Sequence, residues 1–189
     1  MKIIIVTGPP YSGKGTQCEV LSRVMGYDHI STGEKCRQEK LNRTEIGLIM
    51  SKFEEKGDLV PDIIMKDLFG QVIDENKGKK GIILDGYPRT KAQVDDLIEL
   101  VTSKHKQISL VINIDVPKAE LLARAAKRAE ASIREDDKDP LIHLKRVQVF
   151  ETSTLPAIEY MSELLQVAVI DGTGTIDEIT RRILEKISS

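Results

Sequence analysis

Lys14 is the first residue whose setting points to chemistry, because it closes the run Gly8-Pro9-Pro10-Tyr11-Ser12-Gly13-Lys14 between an apolar stretch, Ile3 to Val6, and an amphipathic one. A strand that turns through such a loop into a helix leaves backbone N–H groups unpaired at the helix start, where they converge on a phosphate chain. The glycines let the backbone come close, and Lys14 adds a movable positive charge. Downstream, Ile82-Ile83-Leu84-Asp85 reads as a short buried strand ending in a carboxylate. In a chain with a phosphate loop that is the place for a magnesium-linked Asp, with a helix cap as the plainer alternative. Arg124, Arg128, Arg134 and Arg146 form a third set, interleaved with Asp136 and Asp137. Arg124 and Arg128 are four apart and share a helix face. A solvated face is the usual reading of such a run, but Arg124 lies among leucines and alanines, and planar guanidinium forks suit phosphoryl oxygens. His29 has no fitting nucleophile nearby and reads as structural. Cys18 reads as packing.

These residues need rigid elements to hold them. Val20, Leu21, Val24 and Met25 give the helix after the loop an apolar face, and Gly26 ends it. Tyr27 to Ile30 is a short strand running into a helix that Ser31 or Thr32 would cap. Residues 34–56 carry few apolar positions and predict two short, weakly buried, mobile helices ending at Gly57. Pro61 suits the first position of the next helix, through Ile63, Ile64, Leu68, Phe69 and Val72. A helix through Ala92 to Leu100, a strand Ile108 to Ile114, a long helix from about Leu141 to Leu165 with Pro156 as a kink, a strand Val167 to Asp171 and a closing amphipathic helix complete the chain. Alternating apolar strands and helices predict an α/β fold. Its parallel sheet of about five strands is covered on both faces, with ligands at the strand C-terminal ends.

At 189 residues the chain predicts one domain. A hydrophobic fraction of 40%, a charged fraction of 31% and a net charge of −2 give no reason to expect a nucleic-acid or membrane surface. Cys18 and Cys36 form no CxxC pair, which argues against a zinc site or disulfide framework and fits a reduced cytoplasm. The N-terminal apolar run is too short for a signal peptide or a membrane span.

Four stretches, GPPYSGKGTQ, HISTGEKCR, LDGYPRTKAQ and the arginine pattern ending in RVQVFETSTLPAIEY, resemble the adenylate kinases within the nucleoside monophosphate kinases. The resemblance implies a three-layer P-loop NTPase fold with two inserts, a monophosphate-binding segment over 31–60 and a short lid over 128–138. Only five residues separate Arg128 from Arg134, which leaves no room for the zinc hairpin of long-lid members. The implied reaction is direct transfer of the γ-phosphoryl group of ATP to AMP, giving two ADP, with Mg²⁺ and without zinc, in a cytoplasmic monomer. Lys14, Arg89, Arg124, Arg134 and Arg146 would be catalytic. Gly8, Pro10, Tyr11, Ser12, Gly13, Lys14, Gly15 and Thr16, with Arg124, Arg128 and Gly174, would bind ATP. Thr32, Gly33, Arg37, Gly57, Leu59, Val60, Gly86, Arg89, Gln93, Arg134 and Arg146 would bind AMP. Asp85 would hold magnesium through water, and Thr32 and Gln93 favour adenine. The alternatives are a UMP/CMP or other monophosphate kinase, or a nucleotide-binding regulator without transferase activity. Against the family pattern, Tyr11 stands where Gly is usual, Glu34 replaces Asp, Ala129 and Ile133 replace lid glycines, and Asp139-Pro140 adds one residue.

Overall fold

The strands are continuous apolar runs because both faces of the sheet are buried. Along β1 (Lys2–Thr7) successive side chains alternate sides. Ile3 and Ile5 pack with Ile82, Leu84 and Val111 in one core, Ile4 and Val6 with Ile83, Ile112 and Ile114 in the other. The computed structural model describes residues 1–131 and 139–188. The other strands are β2 (Asp28–Ser31), β3 (Gly81–Asp85), β4 (Gln107–Asp115) and β5 (Val167–Asp171). They form one parallel sheet in the order β2-β3-β1-β4-β5. From central β1 the chain first moves to one side and later to the other, so a crevice opens at the strand C-terminal ends.

Helix α1 (Lys14–Met25) follows the loop and ends at Gly26, whose φ of 66° closes it in the left-handed conformation. Val24 is 60% exposed rather than on the buried face, because Cys18 and Leu21 set the stripe that meets the sheet. The pair α2 (Thr32–Leu41) and α3 (Glu45–Glu54) is lightly buried, as its composition predicts. Its backbones meet at Gly47, where a Cβ would come 2.2 Å from the Glu39 carbonyl carbon. Ser31 is the α2 cap, accepting from the Glu34 N–H; Thr32 instead donates its hydroxyl to the Asp85 carbonyl at 3.0 Å, joining α2 to β3. Pro61 is the residue before α4 (Asp62–Glu75) rather than its first, with extended ψ of 139°. Next come α5 (Lys91–Ser103) and α6 (Lys118–Ala131). The expected long helix is α7 (Pro140–Val149), a π turn over Phe150–Thr154 and α8 (Leu155–Leu164). Pro156 offers no N–H to continue the ordinary ladder, and Leu155 N–H reaches back to Phe150 O across the wider turn. Helix α9 (Ile176–Ser188) packs beside α1. Among the described residues no helix is long and apolar enough to cross a membrane.

Candidate active site

A cavity of about 510 Å³ opens at the C-terminal ends of β1, β2 and β3. One wall is the loop and the start of α1: Gly8, Pro10, Tyr11, Gly13, Lys14, Gly15, Thr16 and Glu19. The opposite wall comes from the α2–α3 segment, through Gly33, Glu34, Arg37, Glu54, Gly57 and Leu59. His29, Asp85, Gly86 and Arg89 line it from the strand ends, and Arg128, Arg146, Val149, Phe150 and Thr154 from the second half of the chain. Lys14, Arg37, Arg89, Arg128 and Arg146, separated by up to 132 positions, thus face one space. A shallower pocket of about 370 Å³ lies on the far side of the loop. Gly13 and Thr16 border both, while Ser12, Arg124, Lys127, Gly174 and Ile176 line the second.

Loop geometry follows from its glycines. Gly8 has φ 137°, and a Cβ there would stand 2.4 Å from the Ile114 carbonyl oxygen, so only glycine fits against β4. Gly13 at φ 89° aims the helix start. Lys14 Nζ folds back onto the Gly8 and Pro9 carbonyls at 2.9 and 2.7 Å. Burial draws its pKa down to about 8, the nearby Asp85 carboxylate opposing. Tyr11 does adopt the left-handed conformation, φ 68°, that its family position demands of glycine. Its ring stacks on His143 of α7, centroids 5.1 Å apart and planes 20° from parallel.

Arg89 is held at both ends. Its Nε donates to the Gly86 carbonyl at 2.6 Å, and its backbone N–H donates to Gln93 Oε1 at 2.8 Å. Burial pulls its pKa below the ordinary arginine value, with Asp85 again opposing. Gln93, expected at the base, is 2% exposed and is not on the cavity wall. Its Nε2 donates to Asp62 Oδ1 at 2.7 Å, so in this structure its amide braces Arg89 from behind. Thr32 and Val60 are likewise buried behind the lining. Arg124 sits beyond the loop, donating to Ser12 O at 3.3 Å, Gly172 O at 3.0 Å and Glu120 at 2.9 Å. Arg134, Asp136, Asp137 and Ile133 lie outside the described residues.

Several cavity residues escaped sequence reasoning. His29 Nε2 lies 3.2 Å from Asp85 Oδ2, the second residue of the pair carried by a neighbouring strand. Glu54 forms an ion pair with Arg37 at 3.8 Å, which no local pattern announces because α2 and α3 must first pack. Phe150 and Thr154 belong to the π turn, within the stretch that carries the resemblance but without a role read from it.

The adenylate kinase family model matches residues 6–165. Curated adenylate kinases of Parabacteroides distasonis and Bacteroides thetaiotaomicron are each 38% identical, over 186 residues (98% of this chain, 97% of the relative) and 184 residues (97% of each). That of Leptospira biflexa is 36% identical over 187 residues, 99% of this chain and all of the relative. With a phosphate loop, a DGYPR turn and converging arginines set around one cleft, the chain belongs to the adenylate kinase family.

Proposed function

We propose that the larger cavity is the place of reversible phosphoryl transfer between ATP and AMP, yielding two ADP. The observation that carries this reading is the convergence of Lys14 from the loop, Arg37 from the opposite wall and Arg89 from the strand ends, with Arg128 and Arg146, on a single space. Two polyanions can share a cleft only where several cations neutralise them, and in-line transfer asks of a protein mainly positioning and charge stabilisation. Loop N–H groups and Lys14 hold the donor β- and γ-phosphates. The pocket beyond the loop, bordered by Arg124 and Gly174, takes the donor nucleoside. Arg37 and Arg89 grip the acceptor phosphate, and Gly57 and Leu59 border its base. The 31–60 segment acts as the acceptor insert and 128–138 as the lid, with Arg134 serving from it. No general base is needed.

Asp85 is a cavity-lining carboxylate, and Thr16 a cavity-lining hydroxyl at the helix start; both are hard oxygen donors that fit Mg²⁺. When bound, that ion neutralises phosphate charge. No structural zinc, nucleic acid or membrane enters this reading, and the chain works as a cytoplasmic monomer. The test is a panel of nucleoside monophosphates assayed with ATP and Mg²⁺. AMP should exceed UMP and CMP as acceptor, and Lys14→Met should remove most turnover while circular dichroism stays native. Equal use of UMP, or full turnover by Lys14→Met, would overturn the assignment.

A further inference from the structure

We propose that Cys18, His29 and Asp85 form an inhibitory binding site for a borderline-soft divalent cation such as Zn²⁺. The three donor atoms, a thiol sulfur, an imidazole nitrogen and a carboxylate oxygen, all lie within 4.8 Å of one another. Tetrahedral zinc, with bonds of ~2.0–2.3 Å, sets its ligands roughly 3.3–3.6 Å apart. His29 Nε2 and Asp85 Oδ2 already stand at 3.2 Å, and Cys18 Sγ lies within 4.8 Å of both.

The ligands rest on elements that do not share a local sequence: Cys18 on α1, His29 on β2 and Asp85 at the end of β3. The β2–β3 pairing sets His29 beside Ile83 and Ser31 beside Asp85, which fixes the imidazole next to the carboxylate. Cys18 is fully buried, whereas His29 and Asp85 line the cavity. An ion therefore enters from the cavity and keeps its fourth position toward it, the arrangement of three protein ligands plus one open site. On binding, the Cys18 S–H proton passes to solvent as the metal–sulfur bond forms. Thiolate and carboxylate together cancel the charge of the ion, so Lys14 and Arg89 nearby are not faced with a net dication. Mg²⁺ gains nothing from sulfur or nitrogen and demands oxygen octahedra. The softer cation is thus not a substitute cofactor. It engages the carboxylate that Mg²⁺ needs and stalls the reaction.

Metal binding is read directly by titrating the intact protein with Co²⁺, which occupies the same tetrahedral sites. A thiolate-to-cobalt charge-transfer band and visible d–d absorption should appear, Zn²⁺ should displace both, and Cys18→Ser should lose the charge-transfer band. His29→Gln, a second variant whose folding does not depend on replacing the thiol, should weaken Co²⁺ binding by at least about tenfold. In the kinase assay Zn²⁺ should inhibit, a large excess of Mg²⁺ should relieve that inhibition only in part because both ions contend for Asp85, and Cys18→Ser should need at least about tenfold more Zn²⁺ for the same inhibition. A wild-type protein without the band, a band that survives in Cys18→Ser, or unaltered Zn²⁺ inhibition in Cys18→Ser would overturn the proposal. The spectroscopic arm stands whatever nucleotides the cleft accepts, so its failure is distinct from failure of the assigned reaction.

Discussion

Gly86→Ala separates the demands of fold and chemistry at one atom. Gly86 has φ +80°, and an added Cβ would lie 2.6 Å from Arg89 Nη2. The backbone strain alone is worth about 1–2 kcal/mol for an L side chain. The steric conflict must be met by the guanidinium, since Gly86 O already accepts from Arg89 Nε and ties the two residues together. Ordinary contact begins at 3.4 Å, so the charged fork retreats by about 1 Å. A displacement of that size costs on the order of 10²-fold in rate, or roughly 2.7 kcal/mol of transition-state stabilisation. The assay is kcat/KM for AMP at saturating ATP, set beside thermal unfolding. Expected are a ~100-fold loss in kcat/KM and a fall in Tm of about 3–8 °C. Gly78→Ala, with nothing within 4 Å of its Cβ, serves as the unaffected control. A Gly86→Ala enzyme with the expected Tm loss but kcat/KM within about threefold of wild type would refute the idea that Arg89 must be held where it is.

Lys14 makes stability depend on pH. Burial lowers its pKa from 10.5 to about 8, so the folded chain binds this proton less tightly than the unfolded one. The charged lysine weakens folding below about pH 8, and that penalty is relieved as pH rises from about 8 toward 10.5. Burial raises the pKa of the Cys18 and Cys36 thiols, which acts in the opposite sense, so the measurement is the difference between wild type and Lys14→Met. Urea unfolding of the ligand-free proteins should show wild type gaining on the variant across that window; parallel curves would refute the shift. The Tyr11–His143 stack predicts coupling. In a cycle of Tyr11→Ala, His143→Ala and the double variant, unfolding free energies should reveal an interaction of about 0.5–1.5 kcal/mol, and additivity within ~0.3 kcal/mol would show that the rings merely adjoin.

The sheet and the loop were legible because their causes are local. Short β-branched runs bounded by turn residues read as strands buried on both faces, and Gly8, Gly13 and Lys14 sit at spacings the phosphate loop requires. What escaped depends on contacts between segments that are distant in sequence. Gln93 could be placed near Arg89 from the run PRTKAQ, but the direction of its amide depends on Asp62, brought there by packing of α4 on α5. His29 looked structural, and the neighbour that draws it into the cavity lies 56 positions away. Val24 fitted a helical apolar stripe as well as Leu21 did; only the orientation of α1 on the sheet selects between them. The π turn was legible as a break at Pro156 but not as a widening of the helix, because whether an N–H meets the carbonyl five residues back instead of four decides that form.

The two cations at the heart of the cleft share a device that explains why glycine positions matter so much here. Lys14 rests on the carbonyls of Gly8 and Pro9, Arg89 on that of Gly86. Each is therefore held by the loop that carries it, and much of the up to ~2 kcal/mol of rotamer entropy of such a side chain is lost on folding rather than on binding. On the proposed reading, a phosphate oxygen would displace a neutral carbonyl and offer a charged acceptor in its place, a stronger bond in a buried setting. Exchange of this kind needs the carbonyl and the side chain to lie close together, which is why a Cβ at Gly86 would strike the guanidinium. At Gly8 the same absence of a side chain serves the other partner, letting the loop press against β4 so that its carbonyl faces Lys14. Removing a charge would disable one contact. Adding a methyl group at either glycine disturbs the support that decides where the charge stands.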